Sequence, residues 1–101
     1  YFVVLALLSG QEPPQAPLGL PPIPFPVDNP YSREKAELGR LLFFDPRLSA
    51  NGRISCASCH KAEYAFADKE KFSAGVGGEL GTRNAPSLIN RAYGLSQFWD
   101  G

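Results

Sequence analysis

Two cysteines stand three positions apart and a histidine follows the second, in Cys56-Ala57-Ser58-Cys59-His60. No other cysteine or histidine occurs in the 101 residues. A disulfide between these two would close so short a loop that it would remove little chain entropy. A zinc site would need a second pair of ligands, and the sequence has none. A thioredoxin-like redox pair belongs in a βαβ setting, and no strand pattern is present. Plain buried cysteines would have no use for His60. The spacing C-x-x-C-H is that of covalent haem attachment. Each sulfur adds to one vinyl group of the porphyrin, two intervening residues let a single turn of chain reach both, and the same turn aims the adjacent imidazole at the iron. The motif therefore predicts one haem c, with Cys56 and Cys59 as tethers and His60 as an axial iron ligand.

A chain of this length has room for one small domain. Its 10 Lys+Arg balance 10 Asp+Glu. That gives no basis for binding nucleic acid or an anionic membrane surface. The first residue is Tyr1, which reads as a fragment start. Residues 1–8 form an unbroken apolar run, followed by the small pair Ser9-Gly10. Eight residues fall short of the roughly 20 needed to span a bilayer, so residues 1–10 are expected to be the remnant of a secretory signal; a buried strand or helix start is the plainer alternative. Export would also suit cysteines consumed as thioethers, and points to the periplasm. Leu7-Leu8-Ser9-Gly10 resembles a lipoprotein box, but Gln11 stands where the lipidated cysteine would be, so no lipid anchor is expected.

Eight of the ten prolines fall within residues 13–30. Proline fixes φ and removes a backbone donor, so residues 11–30 should be extended and irregular. A flexible linker is one reading; the apolar Leu18, Leu20, Ile23, Phe25 and Val27 favour an arm that packs along a surface. Residues 31–101 would form the haem domain. A helix should start near Ser32, a good N-cap, with Glu34 in the first turn where the helix dipole favours an anion. Leu38, Leu41 and Leu42 make an apolar stripe at i, i+3, i+4. Pro46 ends the helix by Phe44. Gly39, inside it at a propensity cost of about 1 kcal/mol, would be explained by close approach of the haem or another helix. Asn51-Gly52 signals a turn. A short helix is expected within 61–72, a glycine-rich loop over 73–82, and a last helix from Pro86 to about Tyr93. The class is mainly α with long loops.

The second axial position of the iron is a separate question. Electron-carrier cytochromes usually close it with Met or a second His, and this chain has no Met and no second His. Lys, Tyr, Asn or water remain, so an open or water-filled position, able to admit peroxide, is expected unless another segment supplies the ligand.

Four blocks extend the pattern beyond the haem motif: residues 38–49 (Leu38-Gly39-Arg40 to Leu48-Ser49), Ile54 to His60, Gly81-Thr82-Arg83-Asn84-Ala85-Pro86-Ser87-Leu88, and Gln97-Phe98-Trp99-Asp100-Gly101. In this order they resemble the N-terminal haem domain of the bacterial di-haem cytochrome c peroxidases and the related MauG-type enzymes, over about residues 29–101. The resemblance implies a cytochrome c-like haem domain in which peroxide reacts, and a second haem domain that receives electrons from a small cytochrome c or cupredoxin. It leaves room for a homodimer. It implies that Asn84 is a calcium ligand, its amide oxygen suiting a hard cation; an Asn capping the following helix is the alternative. It implies that Trp99 relays electrons between the haems, a role compatible with core packing.

Two features depart from the family. Many of its peroxidases carry a histidine in the loop before Asn-Ala-Pro that blocks the iron at rest. Here Val76 stands at that place, which resembles the MauG-type branch or peroxidases needing no reductive activation. The family's distal glutamine and glutamate, and its second C-x-x-C-H, lie beyond the Phe-Trp-Asp-Gly block, so neither Glu63 nor Glu79 takes the acid–base role. The expected function is thus haem-dependent reduction of hydrogen peroxide. The alternatives are a mono-haem electron-transfer module without catalysis and a MauG-like oxidation of a protein side chain.

Overall fold

The computed structural model describes residues 12–96. The apolar run at 1–10 and Trp99 lie outside the described residues. Two compact units divide them, one built from residues 12–39 and 92–96 and the other from 40–91.

In the first unit the proline-rich segment is extended and punctuated by turns. Pro17 to Leu20 closes with a 3.0 Å bond from the Leu20 N–H to the Pro17 carbonyl, and Gly19, at φ +87°, supplies the left-handed third residue that a type II turn requires. A second turn follows at Pro26–Asn29. The Tyr93 hydroxyl donates to the Pro21 carbonyl at 2.9 Å, and the rings of Phe25 and Tyr31 meet at 5.4 Å.

Helix α1 spans Arg33–Phe44, as the sequence predicts at both ends. Ser32 caps it: its hydroxyl accepts the Lys35 N–H at 3.2 Å while its carbonyl accepts the Ala36 N–H. Ahead of Pro46 the chain turns extended at Asp45. The Asp45 carboxylate then caps a single 3-10 turn, Pro46–Leu48, accepting the Arg47 N–H at 2.9 Å. Gly39 does not mark a close protein contact. No described atom lies within 4 Å of where its Cβ would sit.

The remaining regular pieces are short. Helix α2, Cys56–Cys59, is one turn long. The helix expected within 61–72 is not formed: a 3-10 turn at Ala62–Tyr64 is stopped by Ala65 and Phe66, both left-handed at φ +55° and +58°. The helix expected from Pro86 to Tyr93 shrinks to a 3-10 turn at Arg91–Tyr93. Residues 84–87 are instead engaged in tertiary hydrogen bonds, and Asn90 is left-handed at φ +58°. The loop over 73–82 is present, closed by 2.7 Å and 3.0 Å backbone bonds from Gly75 to Glu79 and from Gly81 to Ser73. Among the described residues there are no strands, only the isolated bridges Lys61–Ala67 and Ala74–Leu80.

No described hydrophobic side chain is buried. Phe43, Phe44, Phe66, Leu88 and Ile89, with Arg40, instead wall an open apolar cleft of about 440 Å³ in the second unit. The ring of Phe43 meets those of Phe44 at 5.0 Å and Phe66 at 6.4 Å, and a large apolar partner in the cleft would add the buried surface that a domain this small needs.

Candidate haem attachment site

The chain reaches the cysteines through a tight polar turn. The Ser49 hydroxyl donates to the Pro46 carbonyl at 2.8 Å and accepts the N–H groups of Arg53 and Ile54, each at 3.1 Å. Gly52, left-handed at φ +66°, completes the turn predicted at Asn51-Gly52. Helix α2 follows. The Ser55 N–H donates to the Ser58 hydroxyl at 3.0 Å, and the His60 N–H donates to the Cys56 carbonyl at 2.9 Å. The three motif residues thus occupy one turn: Cys56 begins it, Cys59 ends it, His60 is the residue that leaves it, and both thiols are free.

The imidazole is held by main chain. His60 Nδ1 lies 2.8 Å from the Phe66 carbonyl oxygen. A carbonyl only accepts, so Nδ1 carries the proton and Nε2 presents its lone pair. Nε2 has no partner among the described residues. A metal-ligating histidine has this form, its far nitrogen donating to a fixed acceptor that sets tautomer and ring orientation.

The loop that supplies the carbonyl is compact. Phe66 N–H donates to Lys61 O at 2.8 Å, Ala67 N–H to Tyr64 O at 3.0 Å and Lys61 N–H to Ala67 O at 3.1 Å. Two non-glycine residues in the left-handed region cost about 1–2 kcal/mol each. These three hydrogen bonds, at about 1 kcal/mol each, are of the size needed to offset that. Asp68 locks the exit of the loop. It is 9% exposed, and its carboxylate accepts from Lys61 Nζ at 3.2 Å and from the Glu70 N–H at 3.3 Å. The neighbouring Ser73 hydroxyl, although without a hydrogen bond of regular geometry, acts with the Glu70 amide and the Lys61 ammonium to hold this carboxyl below the usual carboxylate range. The same carboxylate pushes Lys61 up. Directly after the C-terminal end of α1, the Arg47 guanidinium lowers Asp45 to about 2.

Residues Asn84 to Ser87 grip this loop from outside. Asn84 Nδ2 donates to the carbonyls of Asp68 at 3.0 Å and Glu70 at 2.6 Å; Asp68 N–H donates to Ala85 O at 3.2 Å; the Ser87 hydroxyl donates to Ala65 O at 2.5 Å. Asn84 therefore caps no helix. Its nitrogen is committed to two carbonyls, and Oδ1 is the end left to accept. Among the described residues no three His, Cys, Asp or Glu side chains gather into a metal-ion cluster.

Two further clefts flank the turn. One, of about 290 Å³, is walled by Phe43, Phe44 and Phe66 and by Ala57, Ser58 and His60. The other, about 370 Å³, brings Cys59 together with Ile54, Ala74, Val76 and Leu80. Free thiols at the two ends of one turn, an imidazole with an available Nε2 and aromatic walls beside it are the donor set and surroundings a tethered haem needs. The sequence reading missed Phe66, Asp68 and Ser87. Phe66 acts through its carbonyl, which any residue type has. Asp68 pairs with Lys61 seven positions away across an irregular loop, and Ser87 reaches Ala65 across 22 positions.

Comparison with known proteins gives the same direction. The family described as di-haem cytochrome c peroxidase matches residues 33–101. Cytochrome-c peroxidase IdrP1 of Pseudomonas sp. (strain SCT) is 42% identical over 100 residues, covering 99% of this chain and 26% of that protein. Cytochrome c peroxidase Ccp of Escherichia coli (strain K12) is 46% identical over 78 residues, covering 77% and 17%. A solved structure of a MauG-like protein associated with microbial copper homeostasis superposes with a TM-score of 0.67 at 54% identity, over 71% of this chain and 21% of that one. The chain belongs to the di-haem cytochrome c peroxidase family. It spans about a quarter or less of the length of these curated relatives.

Proposed function

We propose that this chain is the peroxide-reacting haem region of an exported, periplasmic di-haem peroxidase. Cys56 and Cys59 tether the haem and His60 ligates its iron. When bound, the haem supplies the redox centre at which hydrogen peroxide is reduced to water. The observation that carries this reading is the His60 Nδ1 contact to the Phe66 carbonyl at 2.8 Å, which leaves Nε2 aimed away as a metal donor. Phe43, Phe44 and Phe66 line a cleft beside the imidazole that gives an apolar macrocycle aromatic surface to pack on. Electrons would come from a small cytochrome c or cupredoxin through a second haem domain, with Trp99 as relay. Asn84 Oδ1 suits a calcium ion. A homodimer is compatible with this scheme. Val76, where a blocking histidine would stand, offers no donor, so unless another segment supplied a ligand the iron's other face would be open without prior reduction.

That same valine, together with the likeness to a MauG-like structure, favours a second reading in which a protein side chain is the species oxidised. A mono-haem electron carrier is the weaker alternative, because the chain has neither Met nor a second His to close the iron.

The test is His60→Ala in protein matured with haem. Covalent haem, resistant to acid-acetone, should remain through the thioethers, while the spectrum of an imidazole-ligated iron is lost. An unchanged spectrum would refute the ligand role. Peroxide turnover with a reduced small cytochrome should accompany the wild-type spectrum; a wild-type protein that carries haem but turns over no peroxide with any reduced donor would leave the electron-carrier reading.

A further inference from the structure

The loop from Lys61 to Asp68 has a job that its own sequence does not complete. It presents the Phe66 carbonyl to His60 Nδ1, yet it turns on two left-handed non-glycine residues, Ala65 and Phe66. The peptide between them immediately precedes the one that carries the Phe66 carbonyl, so its orientation helps set whether that carbonyl faces the imidazole. Its oxygen, Ala65 O, is taken by the Ser87 hydroxyl at 2.5 Å. Ser87 is in turn fixed, because the same hydroxyl accepts the Ile89 N–H at 3.1 Å. The proton and one lone pair of a single side chain are therefore directed, and the line runs from Ile89 through Ser87 and the Ala65–Phe66 peptide to the His60 ring.

We propose that Ser87 is a positioning residue for the axial imidazole, holding the Ala65–Phe66 peptide so that the Phe66 carbonyl accepts from His60 Nδ1. This rests on His60 being the iron ligand. A fixed acceptor on Nδ1 gives the imidazole more anionic character and makes it a stronger donor to the metal. Loss of the Ser87 contact leaves the peptide held only through its own N–H, on the Lys61 carbonyl at 2.8 Å, so that it can tilt, lengthen the Nδ1 hydrogen bond and weaken that donation.

The experiment compares Ser87→Ala, Ser87→Thr and Ala65→Gly with wild type and with His60→Ala in the haem-loaded protein, by resonance Raman of the ferrous iron–imidazole stretch and by potentiometry. In Ser87→Ala the stretching band should move to lower frequency and broaden, and the midpoint potential should rise, with covalent haem content unchanged. Ser87→Thr, which keeps the hydroxyl, should return both to wild type. Ala65→Gly removes no side-chain hydrogen bond; it relieves the strain of the left-handed alanine but widens the range of backbone angles open to the turn, and should broaden the band and move it the same way by a smaller amount; it also serves if Ser87→Ala does not fold. If His60→Ala abolishes the band while Ser87→Ala, or failing that Ala65→Gly, leaves it at the wild-type position, the positioning role is wrong and the ligand assignment stands. If His60→Ala itself leaves the band in place, the ligand assignment is what fails.

Discussion

Helix α1 and the loop from His60 to Glu70 hold their shapes by opposite means. The helix is regular, capped by Ser32 and stopped ahead of Pro46, and every contact that defines it lies within a few residues. Its leucines stay substantially exposed, Leu38 and Leu41 at 54% each. The loop has almost no regular structure, but polar bonds reach it from residues 16 and 22 positions away. Regularity and rigidity are thus separate properties here. The element easiest to recognise is the less constrained, and the irregular one carries the orientation of the imidazole.

The contrast can be broken most directly at Asn84. Asn84→Ala removes two donated hydrogen bonds at once and should cost about 2 kcal/mol, at about 1 kcal/mol each, measured as a lower urea midpoint for the haem-loaded protein. A midpoint equal to wild type would mean that the grip on the loop is ornamental. The helix should respond with the opposite sign. Gly39 has open space where a Cβ would go and lies inside α1, so Gly39→Ala should raise stability by about 1 kcal/mol. A loss instead would reveal that a bound group packs against that face.

Acid should give the smallest of the three effects. Asp68 titrates below its ordinary range in the folded protein because Ser73, the Glu70 amide and Lys61 favour its ionised form. A depressed carboxyl contributes stability that is complete above the unfolded-state value of 3.8 and is lost as pH falls through the lower folded value. Melting temperature should therefore be flat from neutral pH to about 4 and fall below it, and Asp68→Asn should flatten that fall. Asp45, lowered to about 2 by Arg47, adds a parallel contribution at the exit of α1. An acid limb of equal slope in Asp68→Asn would remove Asp68 from the account.

This division also explains what could be read from the amino acids. The haem motif, the helix from Ser32 to Phe44 and the turn at Asn51-Gly52 rest on local rules, and each lies where the residue types demand. The short helix expected over 61–72 failed because Ala65 and Phe66 adopt a conformation their own side chains disfavour, imposed by bonds within the loop and from Ser87. The helix expected after Pro86 failed because Asn84, Ala85 and Ser87 spend their polar groups on the 65–70 segment. Asn84 was singled out for its amide oxygen, whereas the structure engages its nitrogen. The one-turn arrangement of Cys56 to His60 was legible from five residues; the acceptor behind the imidazole was not, since a carbonyl leaves no mark in a sequence.

The 22 residues separating Ala65 from Ser87 also bear on the order of assembly. On the proposed assignment, the residues that would tether a porphyrin are complete once Cys56 to His60 has been made, whereas Ser87 follows later in the chain. A maturation enzyme would then need only the five-residue motif, and the iron–nitrogen bond would take its final strength when the downstream segment docks. Covalent capture and electronic tuning would be two events, open to failing independently.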